Sequence, residues 1–384
     1  MAIGNIDISL TGEKSHSIHI PRGQGSFSIG AIGMDVKNFN VLVDKSLPIN
    51  WNAFNRFIEE GHTYGHWPRI FNYSGNDTGF IKWSEKRRIE QFNWSPLDPV
   101  SADLTQAYID TLVIYSKHGK VELHLGDNMT LLGLYENLND ISIIEVMKIP
   151  TLVNFSPYTT KDTMKPYKLP IFSPLKEVIS IDINVNPLGQ PFDCESLLQF
   201  QQIEKLNLSG NITNLQSLKH LIHLKSIGLR YVPNLEGMLP LTTWDKLESF
   251  IAWNIEETIG KELKKELKQL EKTKELEYSS VSQLRKPVWF ITEYGIPFSS
   301  WESKNEKKAI KAYKSAIKEL KKATTLDDVK DIILKFSKLF NDFPRIETSE
   351  REDIFEAVLQ LIQIPKISID EEKAVNWFDL VRDY

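Results

Sequence analysis

The sequence predicts an α/β protein in three parts: a mixed α/β segment over 1–106, a stack of short strand-bearing repeats over 107–286, and a helical bundle over 287–384. Three observations predict it. An LxxLxL spacing returns through the middle of the chain at steps near twenty residues. Apolar residues at helical spacing run through the last hundred. Alternating apolar and polar residues, punctuated by glycine, open the chain.

The repeat template fits best at Ile203, Leu206, Leu208 and Asn211, and again at Leu224, Ile227 and Leu229 with Val232 in the Asn slot. Forward of these, Leu247, Phe250 and Ala252 fit, and Leu276 and Tyr278 fit loosely. Backward, Val178, Ile181, Ile183 and Asn186 match in full, preceded by Ile141, Ile144 and Val146, then by Leu123, Leu125 and Asn128 with Lys120 in the first slot. The starts at 120, 141, 178, 203, 224 and 247 give steps of 21, 37, 25, 21 and 23. The long step holds NFSPYTTKDTMKPYKLPIFSP, 154–174, which reads as a loop inserted into one repeat or as a degenerate repeat. Each LxL is a short parallel strand with its apolar pair turned inward, and an Asn side chain can satisfy backbone groups at the following turn. One such unit cannot bury its apolar side alone, so several must stack into a solenoid.

On these residues the chain, over about 107–282, resembles the leucine-rich-repeat family. The resemblance implies a curved, irregular solenoid with a parallel sheet on its concave face, used to bind another protein. In that register one outward column reads Glu145, Asp182, Asn207, Gly228, Ile251, and the next reads Met147, Asn184, Ser209, Arg230, Trp253. Asp182, Asn184, Asn207, Ser209, Arg230, Tyr231 and Trp253 are the candidate partner-binding residues. Trp, Tyr and Arg are the types most often found as energetic anchors of interfaces.

The helical part carries Ala309, Ile310, Tyr313, Ala316, Ile317 and Leu320 on one face of a first helix. Val329 to Phe340, Ile354 to Ile362 and AVNWFDLV supply three more. Capping boxes are expected at Ser303 with Glu306, Ser349 with Glu352 and Ser368 with Glu371. In the N-terminal segment NWNAFNRFIEEG suggests one short helix, and RGQGSFSIG reads as a hairpin turn, since it lacks both GxGxxG and Walker spacing. Aromatic residues crowd 51–94, as a core or as a contact surface, and the segment is expected to cap the first repeat.

Composition narrows function. With 46 basic and 51 acidic residues the chain is mildly acidic, which argues against a nucleic-acid partner. The opening MAIGNIDISLTGEK is no signal peptide and no apolar run spans a membrane, so a cytoplasmic location is expected. The single Cys194 excludes an internal disulfide and thiolate zinc sites. Repeats followed by helices resemble the layout of bacterial effector ubiquitin ligases, but those carry a nucleophilic Cys in the helical domain, and 287–384 has none. No GxSxG is present. In EEGHTYGHW, Glu59, His62 and His66 offer the best metal candidate, weakened by Gly61 and Gly65. No cofactor, no metal and no catalysis are expected. The expected function is protein binding through the concave face, and the Lys-, Ile- and Asn-rich vocabulary suits a bacterial immunity protein that neutralises a toxin. The alternatives are an effector that binds a host protein, or a metal-dependent enzyme in the N-terminal segment.

Overall fold

The structure, a computed structural model, describes residues 6–21, 23–58, 65–160, 164–291, 297–301, 303–343 and 346–383. The chain divides into two compact units, Met1–Gln283 and Leu284–Tyr384. It is a mixed α/β protein with one large parallel sheet and several helices.

In the first unit β1 (Ile6–Ile8) and β2 (His16–Ile18) pair antiparallel. Then come β3 (Ser26–Ala31), β4 (Val41–Val43), β5 (Ile70–Ser74), β6 (Ile89–Ser95), β7 (Val100–Leu104), β8 (Ile109–Ser116), β9 (Val121–Leu125), β10 (Leu131–Glu136), β11 (Ile141–Val146) and β12 (Leu152–Pro157). Beyond them lie β13 (Ser180–Asn184), β14 (Phe192–Asp193), β15 (Lys205–Ser209), β16 (Ile212–Thr213), β17 (Ser226–Arg230), β18 (Ser249–Trp253) and β19 (Tyr278–Ser282). Twelve of these form one sheet in the order β19-β18-β17-β15-β13-β12-β10-β8-β6-β5-β3-β4. Every neighbouring pair in it is parallel, and from β5 onward the strands follow chain order. A parallel neighbour requires a crossover, and from β5 onward each step of about twenty to thirty residues supplies one.

What makes these segments strands is strict alternation. In β13, β15, β17 and β18 the inward pairs Ile181/Ile183, Leu206/Leu208, Ile227/Leu229 and Phe250/Ala252 are all buried, while the residues between them face the other way. The crossovers change along the chain. β7, β9 and β11 make a second, three-stranded parallel sheet, in which Ala102, Leu104, Leu123, Leu125, Ile141 and Ile143 are buried. Further on the crossovers carry 3-10 turns over Cys194–Gln199, Leu215–His220 and Leu241–Thr243. After the short helix α1 (Gly79–Ser84), the last crossover of the sheet holds the longer α2 (Glu257–Leu270).

Several expectations are corrected here. The segments at 120–125 and 141–146 are strands, but of the second sheet, because each turn there has two strands and periodicity alone cannot assign them to layers. Of the two readings of 154–174, an inserted loop fails at its start, because β12 pairs with β10 and β13 inside the large sheet as a degenerate repeat would. The same sheet runs across residue 106, since Phe71/Tyr73 and Phe92/Trp94 fill the inward positions that Leu fills later. Near RGQGSFSIG, the Gln24 N–H donates to the Pro21 carbonyl (3.0 Å) in a turn, but β3 pairs parallel with β4 and β5 and makes no hairpin with β2. Asn128 and Asn211 do donate to backbone carbonyls, of Ala107 and Gly189, though neither is buried.

The aromatics of 51–94 form core. The expected short helix is a 3-10 segment, Trp51–Arg56, and Trp51, Phe54, Phe71, Phe80, Trp83 and Phe92 are buried together. Phe80 stacks on Phe92 with ring centroids 4.0 Å apart. Three indole tips are satisfied: Trp51 Nε1 donates to Asp77 Oδ1 (2.7 Å), Trp83 Nε1 to Asn55 Oδ1 (2.7 Å) and Trp94 Nε1 to the Gly75 carbonyl (2.8 Å), whereas buried Trp67 Nε1 has no hydrogen-bond partner. A buried Tyr or Trp usually finds such a partner.

One backbone feature recurs. Immediately after β15, β17, β18 and β19 stand Gly210 (φ 103°), Tyr231 (φ 53°), Asn254 (φ 53°) and Gln283 (φ 54°). At Gly210 a Cβ would lie 1.9 Å from the Val185 carbonyl oxygen, so only glycine fits. Tyr231 holds the left-handed conformation despite its side chain, at a cost of order 1–3 kcal/mol.

The second unit begins with α3 (Pro287–Trp289) and packs α4 (Ser303–Leu320), α5 (Leu326–Lys338), α6 (Thr348–Leu361) and α7 (Glu371–Val381) on one core. Tyr313, Phe336, Phe340, Leu361 and Phe378 lie in it, and the Tyr313 hydroxyl donates to Gln360 Oε1 (2.6 Å). The capping differs from expectation. The capping boxes are Thr325 with Asp328 and Glu347 with Glu350, and Asp370 caps α7. Ser303 and Ser349 fall inside their helices and Ser368 stops short of α7, because the cap sits at the last extended residue before the first turn.

Replacing Phe92 with Ala is expected to destabilise the first unit by about 3–5 kcal/mol. Urea unfolding followed by tryptophan fluorescence reads this as a lower midpoint; an unchanged midpoint would remove the ring cluster as the source of stability.

Candidate functional site

The face of the large sheet opposite its apolar pairs gathers the candidate residues. Register places Asp182 beside Asn207, Asn207 beside Gly228 and Gly228 beside Ile251. In the next column Asn184, Ser209, Arg230 and Trp253 are neighbours in turn. Tyr231 follows Arg230, and its left-handed backbone brings its ring edge-on to Trp253, centroids 5.1 Å apart. All seven candidates therefore lie together. Arg230 is exposed, and its guanidinium makes no hydrogen bond or ion pair with another described residue; Trp253 is 37 % exposed.

Glu145 and Met147 do not join these columns, since β11 belongs to the other sheet. The columns continue instead through β12. Asn154 pairs with Asp182, and behind it follow Gly133, Val113, Asn93, Asn72 and Ser28. The repeated FNYS and FNWS of β5 and β6 carry the signal that marks Asn72 and Asn93 as this column.

These amides bond each other. Asn93 Nδ2 donates to Asn72 Oδ1 (2.7 Å), and Asn72 Nδ2 to Ser28 Oγ (3.0 Å). Farther along, Asn207 Nδ2 donates to Asp182 Oδ1 (2.6 Å) and Asn184 Nδ2 to Asn154 Oδ1 (3.0 Å). Strands about 4.8 Å apart suit such ladders. Between the two amide groups Tyr115 and Tyr135 meet edge-on at 5.0 Å, and Tyr135 Oη accepts from Asn154 Nδ2 (3.3 Å). Burial, then the charge of Glu136, raises the Tyr115 hydroxyl; burial, then Tyr115 and Asp182, raises that of Tyr135. Both stay neutral at physiological pH. Gly228 completes the arrangement: a Cβ there would come within 2.1 Å of Asn207 Oδ1, so its absence lets the amide lie flat.

The other candidates separate from this face. Glu59 and His62 lie outside the described residues. His66 is half-buried, and Nδ1 has no hydrogen-bond partner. Burial first, then the charge of Arg87, lowers its pKa. Arg87 is itself 3 % exposed, with its guanidinium over Trp83 at 4.6 Å, and burial lowers its pKa to about 10. Cys194 is fully buried, and burial raises its thiol far above the ordinary range, which removes nucleophilic character. Among the described residues no three His, Cys, Asp or Glu side chains are grouped to hold a metal, and no helix is long and apolar enough to cross a membrane. The face offers amides, hydroxyls, the Asp182 carboxylate, the Arg230 guanidinium and aromatic edges.

Two outcomes follow from this geometry. Gly228→Ala should cost about 0.5–1.5 kcal/mol, the worth of the hydrogen bond lost when Asn207 is pushed off Asp182, and much less in an Asn207→Ala background; a double-mutant cycle by denaturation measures the coupling. His66 has a folded pKa below its unfolded value of 6.5, so the unfolded chain binds more protons between the two. Its contribution to stability is present above pH 6.5 and lost as pH falls through the folded pKa. Unfolding free energies measured from pH 5 to 8 should rise with pH, with a shallower slope in His66→Gln.

Compared with protein-family models, with curated proteins and with solved structures, the chain matches none of them.

Proposed function

We propose that the first unit is an irregular leucine-rich-repeat solenoid whose sheet face binds another protein without catalysis, with Arg230, Tyr231 and Trp253 as its anchors. The observation that carries this reading is the meeting of an exposed, unpaired Arg with two aromatic rings at neighbouring positions of a face otherwise locked by its own hydrogen bonds. Aromatic and Arg anchors surrounded by near-neutral polar contacts are the usual make-up of an interface hot spot. A rigid face loses little conformational freedom on binding, so more of the contact energy remains as affinity. The strained backbone at Tyr231 supports the reading too, since strain persists where presenting a side chain matters. The solenoid reading rests on chain-ordered parallel strands, each contributing one inward apolar pair.

The role proposed for this binding is immunity: in a bacterial cytoplasm the protein occupies the surface of a toxin domain and neutralises it. That role rests on analogy with single-chain repeat binders.

The test is affinity capture from the native cells with the purified chain, beside an Arg230→Glu/Trp253→Ala variant. One captured protein, lost from the variant by about 2 kcal/mol or more of binding energy, is the expected result. Equal capture by both forms would move the interface off this face. Tyr231→Gly separates binding from folding, because it relieves the left-handed backbone while removing the ring: affinity should fall with no loss of thermal stability. For the immunity role, deleting the gene should harm cells only when the captured toxin is present.

A further inference from the structure

The second unit, described by itself, contains a recess of about 520 Å3 whose lining includes Lys286, Lys321, Lys322 and Lys366. Among the described residues no carboxylate lines it, and none of these four ammonium groups makes an ion pair with a described residue. Elsewhere in the unit Lys335 reaches Glu319 at 3.1 Å and Lys308 lies over the Phe343 ring, while Lys304 and Lys311 on exposed faces make no ion pair with a described residue, so it is the gathering of the four that sets the recess apart. The carboxylate of Asp328, close by in sequence, is engaged in capping α5, where Oδ2 accepts from the N–H groups of Thr324 (3.2 Å) and Thr325 (3.0 Å).

The four cations come from three separate places. Lys321 and Lys322 follow α4, Lys366 follows α6, and Lys286 precedes α3. A helix C-terminus favours a nearby cation, which accounts for individual lysines there but not for their convergence with Lys286. Like charges gathered in one recess repel each other, and bringing an anion among them reverses that cost. The rest of the lining is mild: Val288, Ala323 and Ile364 give it an apolar part, and Gln363 and Thr324 add polar groups. The volume falls within the range of about 300–1,000 Å3 usual for small-molecule sites.

We propose that this recess binds a small organic molecule carrying several phosphate groups, the phosphates on the lysines and the organic part on Val288, Ala323 and Ile364. Lysine binds phosphate as a point charge without demanding planar geometry, which suits a multiply charged and conformationally varied anion. The chemistry is shared by a free polyphosphorylated solute and a phosphoinositide headgroup. The proposal is independent of the sheet face.

The probe is inorganic tripolyphosphate, titrated calorimetrically into the full chain at physiological salt, with vesicles containing a phosphoinositide as a second arm. Lys321→Glu/Lys366→Glu should weaken tripolyphosphate binding by about tenfold or more. Lys304→Glu/Lys307→Glu makes the same change of net charge roughly 20 Å away along α4, more than two Debye lengths at physiological salt, and should leave affinity within about twofold. These lysines are exposed, so neither variant disturbs the core. Vesicle binding that the recess variant loses, in addition to tripolyphosphate binding, assigns the source as a lipid headgroup; tripolyphosphate binding without vesicle binding assigns a free solute. Absence of heat with tripolyphosphate, or equal loss in both variants, overturns the proposal.

Discussion

Each strand of the large sheet contributes two or so inward apolar side chains, and no strand has enough of them to make a core. Ile181 with Ile183, or Leu206 with Leu208, leaves water only because the strands before and after supply matching pairs in register. Burial is thus a property of the row. The second sheet, the 3-10 turns and α2 all serve the same need from the other side, closing each crossover over the apolar rows. At the N-terminal end, where few strands remain to share the load, the pairs become Phe71/Tyr73 and Phe92/Trp94, and Trp51, Phe54, Phe80 and Trp83 are added over them.

The same register that builds the core builds the opposite face. A parallel, in-register sheet places like positions side by side at strand spacing, so an amide on one strand meets an amide on the next. Asn72 with Asn93 and Asp182 with Asn207 are the result, and Gly228 leaves the space that keeps Asn207 in line. Because these groups satisfy one another, they present a fixed surface. Arg230 breaks the pattern by having no such neighbour, and it does so next to Tyr231 and Trp253.

Much of this was legible in the sequence. Where Leu or Ile occupies both inward positions, as in 178–229, spacing alone located the strands and the columns they form. It failed where chemistry changed but geometry did not. FNYS and FNWS keep the alternation and replace Leu by aromatic residues, so a template written for Leu passes over them. At 141–146 the template takes Ile144 and Val146 as the inward pair, whereas Ile141 and Ile143 are the buried ones, and nothing local says which of two layers a strand joins. Asn154 was hidden by the Pro- and Thr-rich run that begins beside it, although Val153 and Phe155 alternate as a strand should. The amide partnerships depend on register between strands some 20 to 30 residues apart, which no single window contains.

The left-handed residues after β15, β17, β18 and β19 have a consequence of a different kind. They turn the chain out of each strand in the same way, so the segments that follow start from equivalent points, and after the first three each returns an apolar side chain, Ile212, Val232 or Ile255, to the interior. Such a rim is modular. Glycine already occupies one corner and Asn and Gln two others, so these positions tolerate exchange of the following loop more readily than any point within a strand. A lineage, or an engineer, could rewrite what this edge of the protein touches one corner at a time, provided each new loop keeps the apolar side chain it returns to the interior.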